Sequence, residues 1–238
     1  MTGTFINVGT VLAGTVLGVA LGSRLPERVR ETVMHALGLV TLVVGVYQAL
    51  AAFRPPLSEL TRAAVLIVLG SVLVGGIIGE LVGIEKGLDR AGEALKRRFG
   101  RGQARFTEGF VVASLVFCVG PLTILGSIQD GLTGDYQLLA VKSLLDGFAA
   151  LAFASVLGWG VGFSALTVLV YQGALTLSAS AAATAFSDSM IAAMSAVGGV
   201  LILGIGLRLL DLRLVRVGNL LPALILAPAA VAIVEALR

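Results

Sequence analysis

Charged residues, cysteine and histidine are all scarce in this chain. Of its 238 residues only 13% are charged, against about 25% in soluble globular domains. The single cysteine excludes an intrachain disulfide, and the single histidine leaves little material for a histidine metal site or a Ser-His-Asp triad. The motifs GxxxxGKS/T, HExxH and GxSxG are also missing. The sequence therefore predicts a protein that is not an enzyme and has no cofactor.

Long apolar runs take the place of charge. Hydrophobic residues make up 57% of the chain, whose mean hydropathy is +1.01. The runs are about 17–25 residues long, which suits helices that cross a hydrocarbon core of roughly 30 Å. We expect an all-α membrane protein in which residues 1–238 form a single multi-pass domain in the lipid bilayer. About eight spans are predicted, at Phe5–Leu21, Val33–Phe53, Ala63–Gly83, Phe110–Ser127, Leu138–Trp159, Val161–Ala183, Met190–Leu210 and Leu214–Leu237.

Two connections between these spans have distinctive sequences. Ile84–Arg105 carries apolar residues at helical spacing among many charges, which predicts either an amphipathic helix on the membrane surface or a solvated loop helix. Gly158–Gly162 leaves room only for a tight hairpin between spans five and six. The first apolar run follows no basic segment and leads into further structure, so it is expected to be a span and not a cleaved signal.

The basic residues sort to one side of the membrane. Thirteen of the 17 Lys and Arg residues fall in odd-numbered connectors, and such enrichment is typical of cytoplasmic loops. Both termini are therefore predicted to lie outside the cytoplasm. The net charge of +3 follows from this placement and does not indicate a nucleic-acid partner. Six acidic residues fall toward the outer face, where they form either a cation-attracting vestibule or ordinary turns.

Phe110–Ala154 is the stretch that interrupts the apolar pattern. Its second helix carries Lys142 and Asp146 inside a predicted span, and charges within a membrane are candidate functional sites. Residues four apart on a helix face the same side and can form an ion pair. Either the pair only holds the helix bundle together, or Asp146 binds a cation or proton that displaces Lys142 as its counter-charge.

The first helix of this stretch is interrupted by Gly120 and Pro121. Proline removes a backbone hydrogen bond and frees a carbonyl near Phe117 or Cys118, which a membrane tolerates only where protein or water satisfies it. We expect either a broken helix or a simple packing kink here. Gln172 could line a pathway from span six, and the loop after span four would form an outer mouth. The further candidates for a transport or ion-binding site are thus Cys118, Gly120, Pro121, Gln129, Asp130, Asp135 and Gln172.

Spans one to three resemble spans six to eight. Phe5–Gly22 and Phe163–Ser180 share a Phe and a Thr-Val-Leu core, and Met34–Leu50 and Met194–Leu210 share an initial Met, early small residues and a late Gly. Segments five spans apart cross in opposite directions, so the pattern predicts an inverted repeat around a broken span four and a charged span five. Inverted repeats and interrupted helices are typical of secondary transporters. Sequences rich in Leu, Val and Gly also align with themselves by chance, and the repeat is therefore a hypothesis.

Two stripes of glycine at four-residue spacing allow helices to approach closely. They are Gly14/Gly18/Gly22 and Gly75/Gly79/Gly83. The stripes could pack against each other or across a homo-oligomer. This is the basis of the alternative hypothesis, a non-transporting membrane scaffold or assembly partner.

The segment Cys118–Phe148 resembles the YdfK/YqgA family of bacterial inner-membrane proteins. The opening GTFINVGTVLAGTVLG, the connector LPERVRETVMHALGL and the closing LLPALILAP carry the same resemblance, which covers essentially the whole chain. The family is labelled only as a domain of unknown function. The resemblance therefore implies a multi-pass protein of the bacterial inner (plasma) membrane and carries over no substrate or site residue.

Together these features predict a transporter or channel for a small ion, above all a cation, or for a small solute. Its polar site is expected on spans four and five, with Asp146 and Lys142 at the centre. The sequence does not indicate which ion, metal or solute is carried.

Overall fold

The structure is a computed structural model that describes residues 1–61, 64–100, 102–179 and 186–237. In these ranges the chain forms helices joined by short connections. A short 3₁₀ turn at Leu50–Phe53 follows α2, and another at Val217–Leu220 precedes the last helix. The helices are α1 Thr2–Gly22, α2 Glu27–Ala49, α3 Leu57–Leu60, α4 Ala64–Val82, α5 Ile84–Phe99, α6 Phe106–Cys118, α7 Pro121–Thr133, α8 Gln137–Leu157, α9 Gly160–Leu177, α10 Asp188–Leu209 and α11 Ala223–Ala236.

Seven helical segments of the described residues are long and apolar enough to cross a membrane, and eight are when the bent pair α6–α7 counts as one span. This confirms the predicted all-α membrane fold of about eight spans. The last helix differs most, since α11 begins at Ala223, after a 3₁₀ turn, rather than at Leu214. In addition, α2 begins at Glu27 rather than Val33, and α7 continues to Thr133 rather than ending at Ser127. Parts of the predicted pattern lie outside the described residues, namely Arg62, Ala63, Arg101, Arg238 and the end of span six at Ala183.

Local sequence explains where several helices begin and end. The side chain of Ser187 accepts a hydrogen bond of 3.2 Å from the Met190 N–H and so caps the start of α10. Gly134 and Gly158 follow α7 and α8 with φ of 73° and 76°, a region that favours glycine. Only Gly158 and Trp159 separate α8 from α9. The predicted tight hairpin is confirmed.

The chain forms two compact units, each built from two separate stretches of sequence. The first unit is Met1–Leu37 with Leu88–Ala183, and the second is Gly38–Gly87 with Thr184–Arg238. The first two boundaries between them fall inside helices α2 and α5. The sequence predicted a single domain because no polar or flexible linker marks these positions.

In the first unit α1 and α8 run parallel. A Cβ atom added to Gly14 would overlap the carbonyl oxygen of Gly147, and one added to Gly22 would overlap that of Ser155. Both residue numbers rise along the contact, so the helices point the same way, as spans one and five must. The first glycine stripe thus packs on α8 within its own unit. The option that the two stripes pack against each other is wrong.

The broken pair α6–α7 follows α9 from one end to the other. α6 begins beside Gly160 at the start of α9, and Gly131 of α7 packs against Thr176 near its end. Between them the hydroxyls of Ser114 and Thr167 lie 2.9 Å apart. The pair bends by 63° at its break, yet it crosses the unit in the same direction as α9. The helix is therefore broken at the predicted position and still spans the unit.

In the second unit α2 and α10 run antiparallel through a seam of glycines. A Cβ atom on any of these glycines would crowd the facing helix, in contacts of Gly38 with Leu210, Gly45 with Leu203, Gly199 with Ala49 and Gly206 with Leu42. Adding 161 to a residue number of α2 gives the equivalent residue of α10, as in 38 to 199 and 45 to 206. In this numbering the Gly38–Leu210 contact is equivalent to Gly199–Ala49, and Gly45–Leu203 is equivalent to Gly206–Leu42. The seam thus has a local two-fold arrangement. The predicted alignment of Met34 with Met194 is one residue out of this register.

The second glycine stripe packs inside the second unit. Gly75 and Gly79 of α4 face Ala223 and Asn219, which makes α4 antiparallel to the segment that leads into α11. Gly83 ends α4 with φ of 74°. Because both stripes are covered within their own units, neither provides the exposed surface that the scaffold hypothesis requires.

α5 confirms the helical part of the Ile84–Arg105 prediction but ends at Phe99. Gly92 of α5 fits against Thr107 at the start of α6. The Thr107 hydroxyl donates a hydrogen bond of 2.6 Å to the carboxylate of Glu93, and this bond lowers the pKa of Glu93. α5 is therefore held to α6 by side-chain contacts, and its place at a membrane surface stays a prediction.

Candidate functional site

Lys142 and Asp146 meet on the buried face of α8. Nζ of Lys142 donates to Oδ2 of Asp146 across one helical turn. The two residues are only 6% and 8% exposed. Asp146 lies about 13 Å along α8 from its first residue. The ion pair predicted from the spacing is present, and its mutual neutralisation makes burial of the two charges tolerable.

α1 supplies the third member of the site. Asn7 is fully buried, and its Nδ2 donates to Oδ2 of Asp146 at 2.9 Å and to Oε1 of Gln172 at 3.0 Å. Both acceptors require a donor, so the amide nitrogen of Asn7 must face them. Sequence analysis had not included Asn7 among the candidates. It links the charged helix α8 to the amide on α9.

Gln172 extends the network toward the start of α1. Its Nε2 donates to Oγ1 of Thr4 at 3.3 Å, and the hydroxyls of Thr4 and Thr176 lie 3.3 Å apart. Thr176 donates its proton to the carbonyl of Gln172 at 2.9 Å, which leaves Thr4 as the donor to Thr176. Two amides, of Asn7 and Gln172, interrupt the chain of hydroxyls.

Asp130 lies on α7 and is buried, with 3% exposed. Its Oδ2 accepts a hydrogen bond of 3.1 Å from the backbone N–H of Gly3 and lies 3.1 Å from the amino group of Met1. The prediction that Asp130 belongs to a loop is wrong, because α7 continues to Thr133. A Cβ atom at Gly131 would overlap the helix α9, so this glycine serves close packing and not a turn.

Gln129 lies near the end of α7, and Asp135 lies in the connection between α7 and α8. Nε2 of Gln129 donates to Oδ2 of Asp135 at 2.7 Å, and Oδ1 of Asp135 accepts from the N–H of Gln137 at 3.0 Å. These bonds hold the turn and the first residues of α8. The role of Asp130 and Asp135 in an outer mouth stays a prediction, and so does that of Gln129 in ion binding.

Gly120 separates α6 from α7 with φ of 152°, a conformation that favours glycine. The carbonyl oxygen of Phe117, at the end of α6, lies 3.5 Å from the Thr123 hydroxyl that donates to it. A side chain thus replaces the backbone donor that the helix loses at Pro121. The freed carbonyl predicted near Phe117 is present.

Cys118 is the last residue of α6 and lies within electrostatic range of both Lys142 and Asp146. Its thiol is half-buried and forms no disulfide. An uncharged thiol packs as a small apolar group. A role of Cys118 as a ligand stays a prediction.

The structure thus brings Asp146, Lys142 and Gln172 together, and the sequence analysis missed the polar residues that complete the cluster. On α1 these residues are spaced three apart, at Thr4 and Asn7, and on α9 four apart, at Gln172 and Thr176. Such spacing places each pair on one face of its helix. A search for polar pairs at helical spacing inside apolar runs would have found them.

The second unit has a polar cluster of its own around Glu85. The Glu85 carboxylate accepts from the N–H of Gly218 at 2.6 Å and from Nη1 of Arg208 at 3.0 Å, while its N–H donates to Oδ1 of Asn219 at 2.7 Å. Nδ2 of Asn219 donates to Glu80 at 2.6 Å. The cluster joins the α4–α5 connection to the turn before α11, which is a structural role.

Among the described residues no three His, Cys, Asp or Glu side chains are grouped so that they could hold a metal ion. The polar groups buried in the first unit are instead carboxylate, amide, hydroxyl and ammonium. This combination can bind and release a small charged species, because a carboxylate attracts a cation and a nearby ammonium can take its place.

The fold and the buried cluster define a multi-pass helical membrane protein. The chain belongs to the family described as Protein of unknown function (DUF554), which it matches over residues 2–232. It is similar to the Uncharacterized protein YqgA of Escherichia coli (strain K12), with 36% identity over 230 residues and 94% of both chains covered. It is also similar to the Uncharacterized membrane protein YdfK of Bacillus subtilis (strain 168), with 29% identity over 236 residues, 99% of this chain and 98% of the relative. No solved structure gives a significant match. The resemblance to the YdfK/YqgA family is confirmed.

Proposed function

We propose that this protein is a transporter or channel that moves a small ion, most directly a cation, across the bacterial inner membrane. The observation that carries the proposal is the buried Lys142–Asp146 pair, which is hydrogen-bonded to Asn7 and through it to Gln172. Charges inside a membrane are expensive and typically mark ion pathways. Polar groups of α1 and α8 meet at one carboxylate, and Gln172 of α9 accepts the second hydrogen bond of the Asn7 amide, which is an arrangement suited to a binding site.

Lys142 acts in this proposal as an internal counter-charge. Its ammonium occupies the position beside Asp146 that a cation would take. A cation that reaches the carboxylate releases Lys142, and the return of the ammonium releases the cation. Asp146 is paired in both states, so its carboxylate is never an unpaired buried charge, which would be strongly destabilising. The flexible four-carbon stem of lysine permits this exchange.

The broken helix α6–α7 supports the proposal. Its interruption leaves the Phe117 carbonyl with only the Thr123 hydroxyl at 3.5 Å. Non-helical backbone at membrane depth occurs where protein or a water-filled cavity surrounds it. Discontinuous helices of this kind form the ion sites of many secondary transporters.

Helix pairing within each unit supports an inverted repeat of spans one to three and six to eight. In the first unit α1 lies antiparallel to α9, since Thr15 contacts Gly162 and Thr4 contacts Gly173. In the second unit α2 lies antiparallel to α10 and α4 to the segment that leads into α11. Each helix thus neighbours its proposed repeat mate in the opposite direction. Mates related by a two-fold axis in the membrane plane have this relationship.

The positions of basic residues support an orientation with both termini outside the cytoplasm. In the first unit Arg24 and Arg28 follow α1, and Arg105 precedes α6. All three lie at the end of the unit opposite Met1, because α6 begins beside Gly160 and α1 ends beside Ser155. Enrichment in arginine and lysine is the mark of cytoplasmic loops.

Ion flux into proteoliposomes tests the proposal. Purified protein is reconstituted, and uptake of Na⁺, K⁺, Li⁺, Rb⁺ and Ca²⁺ is compared with that of empty liposomes. We expect the wild type to exceed the background for at least one cation and Asp146→Asn to return uptake to background. Asp89→Asn makes the same carboxylate-to-amide change on α5, outside the spans, and should retain uptake. Equal uptake by wild type, Asp146→Asn and empty liposomes for every ion would contradict the proposal.

The scaffold hypothesis receives no support from the glycine stripes, because both are internal contacts. A homo-oligomer would have to use other faces, such as the exposed apolar residues of α2 and α4, among them Val43 and Leu66. Such residues are also what helices present to lipid.

A further inference from the structure

Three side-chain oxygens of the first unit are buried without a hydrogen-bond partner among the described residues. They are Oδ1 of Asn7, Oγ of Ser127 and Oδ1 of Asp130, on residues that are 0%, 0% and 3% exposed. Buried polar atoms are nearly always paired, because an unpaired one loses its hydration without compensation. Three such oxygens in one unit require a physical explanation.

Ser127 differs from other buried hydroxyls of the helices. Ser143 and Ser195 donate to a carbonyl of the preceding turn at 2.6 and 2.8 Å, and Thr15 does the same at 2.8 Å. This local bond satisfies a hydroxyl inside an apolar helix. Ser127 does not form one, so both its proton and its lone pairs are free for another group.

The oxygen of Asn7 is unpaired because of the network that holds its amide. Both Nδ2 hydrogens are used, toward Asp146 and Gln172. Rotating the amide by half a turn would set Oδ1 against two acceptors and remove both bonds. The oxygen is therefore fixed on the side of Asn7 that faces away from those two partners.

The register of α1 and α7 brings these oxygens into adjacent layers. The N–H of Gly3 bonds to Asp130 at 3.1 Å, which places these two residues side by side. One turn further along α1 is Asn7, and one turn back along α7 is Ser127, each about 5 Å deeper. Ser127 and Asp130 share a face of α7 because they are three residues apart. Asn7 and Ser127 thus each lie about one helical turn from the Gly3–Asp130 contact, on the neighbouring helices α1 and α7.

The chemistry of the three oxygens favours one class of ligand. An amide oxygen, a hydroxyl and a carboxylate oxygen are hard ligands, which prefer alkali and alkaline-earth cations over transition metals. Asp146 is already neutralised by Lys142, and the other oxygen of Asp130 faces the Met1 amino group. Little uncompensated negative charge remains, which disfavours a divalent ion. A monovalent alkali cation suits the set best.

We infer that Asn7 Oδ1, Ser127 Oγ and Asp130 Oδ1 form a second cation-binding position that takes a monovalent alkali cation such as Na⁺. The inference rests on the proposed cation function and adds to it a position where the ion binds before it reaches Asp146. Asn7 connects the two positions, because its Oδ1 is a ligand of this second position and its Nδ2 donates to Asp146 at 2.9 Å. A cation on the oxygen polarises the amide and strengthens that bond.

The affinity for Na⁺ measured on the purified full chain tests this inference without transport. The apparent dissociation constant comes from the rise in thermal unfolding temperature as choline is replaced by Na⁺ at constant ionic strength. Ser127→Ala removes one ligand and should raise this constant about tenfold. Ser127→Cys keeps the volume but replaces a hard oxygen with a soft sulfur, and should weaken Na⁺ binding as well. Ser143→Ala is the matched control, since the Ser143 hydroxyl is already satisfied within its helix, and should leave the constant unchanged.

The outcomes separate this inference from the proposed function. A Na⁺-dependent shift that both Ser127 variants weaken and Ser143→Ala preserves supports the second position. Unfolding temperatures that are the same in Na⁺, K⁺, Li⁺ and choline overturn it, and so does an unchanged Na⁺ affinity in Ser127→Ala. If proteoliposome uptake still depends on Asp146 in either of those cases, the transporter proposal stands without a second position. If neither a Na⁺-dependent rise in unfolding temperature nor Asp146-dependent uptake is observed, both proposals are contradicted.

Discussion

The side-chain amide of Asn7 donates a hydrogen bond of 2.9 Å to the carboxylate of Asp146. A neutral residue of α1 thus stabilises a charge on α8 that already has Lys142 as its partner. Burial and pairing alone suit a structural ion pair as well as an ion site, because both need a neutralised charge. The two roles differ in their response to added cations. The first prediction uses that difference.

Removal of Lys142 tests whether ions reach Asp146. Lys142→Met leaves a buried carboxylate without its ammonium, which should lower the free energy of unfolding by about 3–5 kcal/mol. At an ion site, added Na⁺ or K⁺ should restore part of that loss, because the cation takes the place of the ammonium. Chemical denaturation in detergent, with each cation compared with choline at fixed ionic strength, measures the effect.

The control for this experiment is the double variant Lys142→Met with Asp146→Leu. It has no carboxylate at position 146, so it should be more stable than Lys142→Met, and it should lose the additional stabilisation by cations that Lys142→Met shows over the wild type. A Lys142→Met protein with the same stability in every cation would mean that the pair has only a structural role.

Close packing of α1 on α8 depends on glycine. A Cβ atom at Gly18 would overlap the carbonyl oxygen of Leu151, whereas at Gly9 of the same helix nothing lies within 4 Å. Gly18→Ala should lower the free energy of unfolding by about 1–3 kcal/mol because the helices must separate, and Gly9→Ala should have little effect. Thermal unfolding of the two variants checks this. Equal losses would argue against the parallel α1–α8 contact.

The two-fold seam between α2 and α10 predicts matched effects. A Cβ atom on Gly45 would lie 2.8 Å from the Leu203 nitrogen, and one on Gly206 would lie 2.7 Å from Cδ2 of Leu42. Gly45→Ala and Gly206→Ala should therefore each destabilise the protein by about 1–3 kcal/mol. Gly70→Ala, where nothing lies within 4 Å, is the control for both. Tolerance of one change together with unfolding by the other would contradict the repeat in this unit.

Glu85 should matter for stability and not for transport. Glu85→Ala leaves the Arg208 guanidinium and the Gly218 N–H without their acceptor, and should lower the free energy of unfolding by about 3 kcal/mol. Glu80→Ala breaks an ion pair whose side chains are 50% and 68% exposed and removes the acceptor of Asn219 Nδ2, so its effect should be smaller, at about 1–2 kcal/mol. Denaturation curves measure both changes. Uptake is compared per amount of folded protein. A fall to background in Glu85→Ala would contradict the purely structural role of Glu85.

The sequence predicted the elements that depend on local chemistry. Apolar runs long enough to cross a bilayer are visible without tertiary information, and so are the break at Gly120 and the hairpin at Gly158. The Lys142–Asp146 pair follows from four-residue spacing on one helix. These features need no knowledge of which helix packs on which.

Features that depend on tertiary packing were missed or misplaced. Asp130-Gly131 has the composition of a turn, but α7 continues through it because Gly131 packs closely on α9. Asn7 lies in an apolar run without any charge, and only the parallel packing of α1 on α8 brings it to Asp146. The chain passes from one unit to the other inside helices α2 and α5, where no linker marks the boundary. Pairing partners of helices are set by shape, and a single sequence carries little of that information.

The infrared absorption of the Asp146 carboxylate, taken as the difference between Na⁺ and choline, tests the central claim most directly. An ion that replaces the Lys142 ammonium changes the environment of the carboxylate and therefore its stretching frequencies. We predict cation-dependent carboxylate bands in the wild type that persist in Asp89→Asn, and the component that belongs to Asp146 should disappear in Asp146→Asn. A carboxylate band that depends on Asp146 but is the same in every cation would contradict the claim, and the Lys142–Asp146 pair would then be a structural link between helices.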